Sequence, residues 1–185
     1  IGLLDRQFHK GNLFDGENFV LAVSEILGSS VDYSVSPDVA NIAVYGWLPY
    51  DTRRNNLRQL LFATNVHVFR DSSRKIYFDF LDDSEAVEII DDLVFDGGVV
   101  EYPKLATKVT VTEHDYYYLN SAAAVTLFDN TNGYQVTDLL VKFPQAPIYP
   151  ASLATTGTLT FRNASVNSAV VSGIGTLTGI PYVHT

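Results

Sequence analysis

Beyond residue 105 the chain alternates apolar and polar side chains with a period of two, and no other feature of the sequence constrains the fold as strongly. The alternation comes in short runs, among them KVTVTEHDYYYL, TGTLTFRN, SAVVSGI and TLTGIPYV, with Gly, Asn and Pro between them. A further pair of runs, AAVTLFD and YQVTDLLVKF, flanks a break at Asn132-Gly133. Short alternating strands at this spacing are typical of sandwiches and barrels. We predict an all-β module over residues 98–185, folded as a sandwich or barrel.

Residues 1–97 follow a different pattern, which predicts two helices packed on a β-hairpin. ENFVLAVSEIL has apolar side chains at helical spacing over 17–27, and Gly28 follows where a helix favours a residue with positive φ. A second helix is predicted over 52–64, capped by Asp51 or Thr52. VHVFR and KIYFDFL, separated by a polar turn, predict a hairpin over 66–81. The fold class is therefore α+β, with an α+β module over 1–97.

The apolar stripe of the second helix and one face of the hairpin need each other's cover, so we expect them to share a core. The expected core residues are Leu57, Leu60, Leu61, Val68, Ile76 and Phe78. The stretch DYSVSPDVANIAVYGWLP is predicted to form short extended pieces, because its alternation is loose and Pro interrupts it. Residues 82–93 fit a helix or a strand equally well, and Asp96-Gly97-Gly98 predicts a turn.

The charge of the chain excludes one class of partner. There are 21 acidic and 12 basic residues, for a net charge of −9, and the segment from Asp79 to Asp96 has acids but neither Lys nor Arg. Such a surface repels phosphate backbones, so we expect no nucleic-acid partner.

No run approaches the ~18 apolar residues of a membrane span, so we expect no membrane partner. With no Cys, the chain also has no disulfide, thiol nucleophile or zinc–thiolate site.

The histidines do not have the spacing of a metal site. His9, His67, His114 and His184 form neither an HxH pair nor an HExxH motif. Glu113 and Asp115 flank His114, but neighbours on a strand point to the opposite face. We therefore predict no metal ligand among them.

Other motifs also fall short of a reactive site. The acids Asp79, Asp82, Asp83 and Glu85 lack the internal Gly of a calcium loop. The run from Ser172 to Gly179 lacks the Lys-Ser/Thr ending of a phosphate loop, and its glycines are explained as strand ends. Asn163-Ala164-Ser165 has the pattern of a glycosylation site and is interpreted as a turn. We predict no catalytic, cofactor-binding or metal-binding residue, no cofactor and no enzymatic activity.

Aromatic residues are the remaining candidates for a binding role. Tyr116, Tyr117 and Tyr118 are consecutive, so on a strand two rings face one side and one faces the other. Tyr is enriched both at protein interfaces and where one end of a ring is apolar and the other wet. A role in the core and in an interface is our first interpretation. The alternative is sugar stacking by Trp47 and these tyrosines, in a carbohydrate- or surface-binding β-sandwich module of an adhesin.

One long segment carries a resemblance to a known family. The segment has the sequence GWLPYDTRRNNLRQLLFATNVHVFRDSSRKIYFDFL, in which we predict a short strand, a Pro break, a helix and a two-stranded hairpin. In this order of elements it resembles tail and baseplate hub proteins of bacteriophages and prophages. IGLLDRQFHKGNLFDGENFVLAVSEILG before it, and KVTVTEHDYYY and GTLTGIPYVHT after it, are similar to other segments of those proteins.

The resemblance implies a structural protein of the phage tail or baseplate, made in the bacterial cytoplasm and located in the virion. Hub proteins form trimeric rings, so the implied partners are copies of the full-length protein and other tail proteins. It supplies no catalytic residue. Hub proteins are longer than 185 residues and this chain has no Met, so we expect a fragment that is monomeric or weakly associated alone, with an apolar patch that the ring would cover.

Overall fold

The computed structural model describes residue 4 and residues 6–70, 75–81 and 114–185. The chain divides into two compact units, one made of Ile1–Phe80 with His114–Thr185 and the other of Leu81–Glu113. The helix-or-strand prediction for 82–93, the turn at residues 96–98 and the module boundary at 97/98 lie outside the described residues. The described part is mostly β, with few helices and several small sheets, none of them closed.

The helices lie in the N-terminal part of the first unit. Those described are α1 (Phe19–Leu27), α2 (Pro37–Ala40) and α3 (Arg53–Thr64). The two long helices confirm the predictions for 17–27 and 52–64. None of the described helices has the length and apolar character that a bilayer span requires.

Local capping explains where the two long helices begin and end. The side chain of Asn18 accepts a hydrogen bond from the backbone N–H of Leu21, and that of Thr52 accepts one from Asn55. These side chains satisfy N–H groups that have no partner inside the helix. Gly28 ends α1 with a φ of 65°, as predicted, and Asn65 ends α3 in the left-handed conformation. The Arg53 guanidinium also donates to the carbonyl of Leu27, which links the two helices.

The N-terminal strands form three small sheets. They are β1 (Phe8–His9), β2 (Asn12–Asn18), β3 (Tyr33–Val35), β4 (Ala43–Leu48), β5 (Asp51–Thr52), β6 (His67–Arg70) and β7 (Ile76–Asp79). β1 pairs with β5 and β2 with β4, both antiparallel. In the third sheet β7 is central, parallel to β3 and antiparallel to β6. This pairing confirms the two strands of the predicted hairpin, whose turn lies outside the described residues. The prediction of extended pieces misses α2, where Pro37 occupies the first turn of a helix and needs no N–H partner.

The N-terminal core matches the expected residues except at one position. Leu57, Leu60 and Phe78 are buried in one cluster, and Leu61 and Ile76 pack against it half-buried. Val68 is 49% exposed, so its predicted burial is wrong. Val68 lies opposite Phe78 in the register, but it belongs to β6, which is the edge strand of the sheet. The residues that bury Phe78 therefore do not cover Val68.

The C-terminal strands form two three-stranded sheets and one short pair. They are β8 (Tyr116–Tyr117), β9 (Val125–Asp129), β10 (Val136–Lys142), β11 (Ala154–Thr155), β12 (Thr160–Arg162), β13 (Ser168–Gly173), β14 (Thr176–Gly179) and β15 (Val183–His184). The sheet orders are β11-β14-β9 and β10-β13-β12, and β8 pairs with β15, all antiparallel. β9 and β10 flank the predicted break at Asn132-Gly133 but belong to different sheets.

The two three-stranded sheets contribute to a second hydrophobic core. Leu127 and Leu177 come from one sheet, Val141 and Val171 from the other, and all are buried in one cluster with Ile148. Neither sheet closes on itself, so the described residues form no barrel.

The buried side chain of Asn167 is one of the links between the C-terminal and the N-terminal parts of the first unit. Asn167, which is 2% exposed, accepts a hydrogen bond from the indole N–H of Trp47 at 2.7 Å. Its amide nitrogen donates to the carbonyls of Lys10 and Leu48, both at 2.9 Å. Residues more than a hundred positions apart are thus joined through three polar contacts in the first unit.

Candidate functional site

An aromatic cleft of about 520 Å³ lies where β2 and β4 meet β8 and the C-terminal strands. This volume is in the range of ligand-binding clefts, which is roughly 300–1,000 Å³. Its polar and aromatic lining comes from the tyrosines and their charged or imidazole neighbours, namely Asp15, Tyr45, His114, Asp115, Tyr116, Tyr117, Tyr118 and Tyr182. The remaining lining residues are Leu13, Phe14 and Gly46.

One wall of the cleft is the outer face of the β2–β4 ribbon. Asp15 lies opposite Tyr45 and Leu13 opposite Trp47 in the antiparallel register, so these four side chains share one face. The alternating neighbours Phe14, Val44 and Leu48 are buried on the other face. The period of two in AVYGWL thus sends Tyr45, which is 69% exposed, into the cleft.

The facing wall is built from β8 and the residues on either side of it, together with Tyr182, which precedes β15. The Tyr116 ring lies 6.4 Å from Trp47 and 5.7 Å from His184, between centroids. The Tyr118 ring lies 4.0 Å from that of Tyr149, which in turn lies 5.9 Å from Tyr182. Two rows of rings therefore connect strands distant in sequence.

The environment of the cleft raises the pKa of two of its phenols, those of Tyr116 and Tyr182. Partial burial raises the pKa of Tyr116. Burial, followed by the neighbouring Tyr149 and Asp15, raises the pKa of Tyr182. Protonated phenols both donate and accept hydrogen bonds. The lining contains the carboxylates of Asp15 and Asp115 and neither Lys nor Arg.

The structure separates the four histidines into three places. His114 and His184 lie together at the cleft, with ring centroids 5.0 Å apart. His67 lies on the edge strand β6 beside Phe69. His9 is 5% exposed, and its Nδ1 atom lies 3.2 Å from the backbone N–H of Gly11, which can only donate, so Nε2 carries the ring proton. No group of three or more potential ligands converges on a metal position within the described ranges.

His9 has an acidic neighbour outside the cleft. Its Nε2 atom lies 3.7 Å from a Glu25 oxygen, while the other oxygen of Glu25 accepts from the Asn12 amide at 2.9 Å. The contact with His9, more than the one with Asn12, lowers the pKa of Glu25 although partial burial opposes it.

The remaining candidate motifs have structural partners where they are described. Asp79 accepts from the Ser36 hydroxyl at 2.7 Å, whereas residues 82, 83 and 85 lie outside the described residues. Gly173 and Gly179 are the last residues of β13 and β14, which confirms the strand-end interpretation of that run. Asn163 is exposed with a φ of 53°, as a turn residue would be.

Sequence reasoning found part of the cleft and missed the rest. Tyr116, Tyr117 and Tyr118 line it, and Trp47 touches it through Tyr116. Among the polar lining residues, Tyr45, Asp15 and Tyr182 were not singled out from the sequence, and Asp115 was considered only as a neighbour of His114. The signal for Tyr45 was present, because it stands two positions from Trp47 on an alternating strand and must share its face.

Comparison of the chain with protein-family models, with curated proteins and with solved structures finds no match.

Proposed function

We propose that this chain is a structural component of a phage or prophage tail or baseplate, and that it acts by assembly and docking without catalysis. Its partners are copies of itself, in a trimer of the full-length protein, and other tail proteins. The proposed site of action is the virion. The finer fold that accompanies this role is two helices packed on the hairpin in residues 1–97 and an all-β sandwich in residues 98–185.

The observation that carries the assembly role is an uncovered apolar row on the sheet β10-β13-β12. Leu139 and Phe161 both lie directly opposite Val171 in the register, so the three side chains share a face. Val171 is fully buried in the second core, whereas Leu139 is 41% and Phe161 37% exposed. Apolar side chains that continue a core outward to both edge strands are typical of a surface that another chain covers.

The same sheet also carries an ion pair at its surface. The exposed Asp138 carboxylate is held by Arg162 at 3.0 Å on the same sheet. Such contacts stabilise the sheet surface.

Light scattering across a concentration series tests assembly. We expect the 185-residue chain to associate weakly, increasingly so at higher concentration, and the double variant Leu139→Ser with Phe161→Ser to stay monomeric. Phe62→Ser is the matched control, because Phe62 is 81% exposed on α3 and lies outside the apolar row. Equal association of the wild type and the double variant would contradict the assembly surface.

Immunogold electron microscopy tests the location. Antibodies raised against the chain should label the tail tip of particles released by the bacterium that encodes it. Labelling of the bacterial cell surface, with unlabelled particles, would instead support the second candidate.

The second candidate is a carbohydrate- or surface-binding module of an adhesin. It is favoured by one observation, the contact between Trp47 and Tyr116 at the aromatic cleft. These are two of the residues that the sequence suggests for sugar stacking.

A further inference from the structure

We propose that the aromatic cleft binds a neutral glycan chain, with Tyr45 as the exposed stacking platform. This inference rests on the second candidate function and is independent of the assembly surface at Leu139 and Phe161. It would hold equally for a tail protein that contacts a cell-surface sugar.

The exposed ring of Tyr45 is the first argument. Tyr45 is 69% exposed and lies opposite the exposed Asp15 in the register, and a large aromatic ring in water on a cleft wall is available to an apolar partner. The C–H face of a sugar ring is such a partner. The Tyr45 ring lies close to Gly16 at the bulge in β2, where a side chain larger than hydrogen would stand 3.2 Å from the Tyr45 hydroxyl.

The polar groups of the cleft match a ligand dense in hydroxyls. The neutral phenols of Tyr116 and Tyr182 can donate and accept, and the carboxylates of Asp15 and Asp115 accept. Sugar hydroxyls both donate and accept, so they can satisfy each of these groups. An apolar ligand would leave them without partners, which costs free energy.

The charge of the lining selects against anionic ligands. Among the described residues the lining has two carboxylates, one imidazole and neither Lys nor Arg, in a chain whose net charge is −9. Phosphorylated, sulfated and sialylated ligands would be repelled. The expected glycan is therefore neutral.

An organic cation would tolerate the carboxylates but needs a different arrangement of rings. Cation recognition uses ring faces that surround one point within about 6 Å. Here two of the lining rings pack on rings outside the lining, Tyr116 against Trp47 and His184, and Tyr118 against Tyr149. An elongated ligand laid along the rows fits this arrangement better than a compact ion.

The test begins with the 185-residue chain on an array of neutral, sialylated and sulfated glycans. The best neutral binder is then titrated by calorimetry and by fluorescence of Trp47, the only Trp, whose ring lies 6.4 Å from Tyr116. We expect Tyr45→Ala to weaken binding about tenfold, the loss expected for one aromatic contact. Asp115→Ala, at another exposed lining residue, should also weaken binding.

Tyr134→Ala is the matched control, because Tyr134 is 95% exposed and lies outside the cleft lining. This variant should bind the neutral glycan with the affinity of the wild type. Far-UV circular dichroism checks that each variant is folded. The inference is overturned if no neutral glycan binds, if anionic glycans bind better, or if tetramethylammonium competes for the site. It is also overturned if Tyr45→Ala and Asp115→Ala bind like the wild type. Light scattering reads assembly separately, so failure here leaves the tail proposal standing.

Discussion

Replacing Asn167 should destabilise the first unit by more than the loss of one hydrogen bond would, because this side chain makes three. Asn167→Ala removes one hydrogen bond to Trp47 and two to the carbonyls of Lys10 and Leu48. The Leu48 contact is buried, whereas the other two are partly buried, so water can replace part of them. A buried polar group left without a hydrogen-bond partner costs about 1–3 kcal/mol, and a group that water can reach costs less. We therefore expect Asn167→Ala to lower the free energy of unfolding by about 2–4 kcal/mol.

Asn167→Asp separates the role of the amide from that of its shape. The aspartate retains an acceptor for the Trp47 indole but points a carboxylate oxygen at two carbonyls, so it should destabilise more than Asn167→Ala at neutral pH. Urea denaturation followed by far-UV circular dichroism measures both variants, with the exposed Gln135→Ala as control. An Asn167→Ala loss below about 0.5 kcal/mol, within the usual range of surface substitutions, would refute the reasoning.

The other stability predictions use the same assay. Leu60→Ala should cost about 2–5 kcal/mol, because Leu60 is 2% exposed in the first core, while Phe62→Ala on the same helix should cost little. Gly11→Ala should be strongly destabilising, since φ is +70° and the new Cβ would stand 2.2 Å from the carbonyl oxygen of Leu48. The pKa of Glu25 is lower in the folded protein than its unfolded value of about 4.5. The ionised Glu25 therefore contributes to the free energy of unfolding at pH values above the unfolded pKa, and this contribution is lost as the pH falls through the folded pKa. In that acid range Glu25→Gln should therefore show a weaker pH dependence than the wild type, and an identical dependence would contradict the role of the contact with His9.

The aromatic cleft shows where sequence reasoning stops. Tyr116, Tyr117 and Tyr118 attract notice because they are consecutive, and Trp47 because it is the only Trp. Nothing local reveals that Tyr116 meets Trp47, since the two are far apart in the chain and meet only when β4 and β8 are assembled. Tyr182 is harder still, because its place depends on the C-terminal strands returning to the same wall.

The sequence by itself determined the local elements of this protein. α1 and α3 and the hairpin β6–β7 appear where apolar spacing, caps and turn residues predict them, because those signals act over a few neighbouring residues. Tertiary structure alone decided which strands pair and which faces are covered. It separated β9 and β10 into different sheets, left Val68 exposed at an edge, and joined Asn167 to strands more than a hundred residues away. Burial and long-range pairing depend on all elements packing at once, and no local pattern encodes that choice.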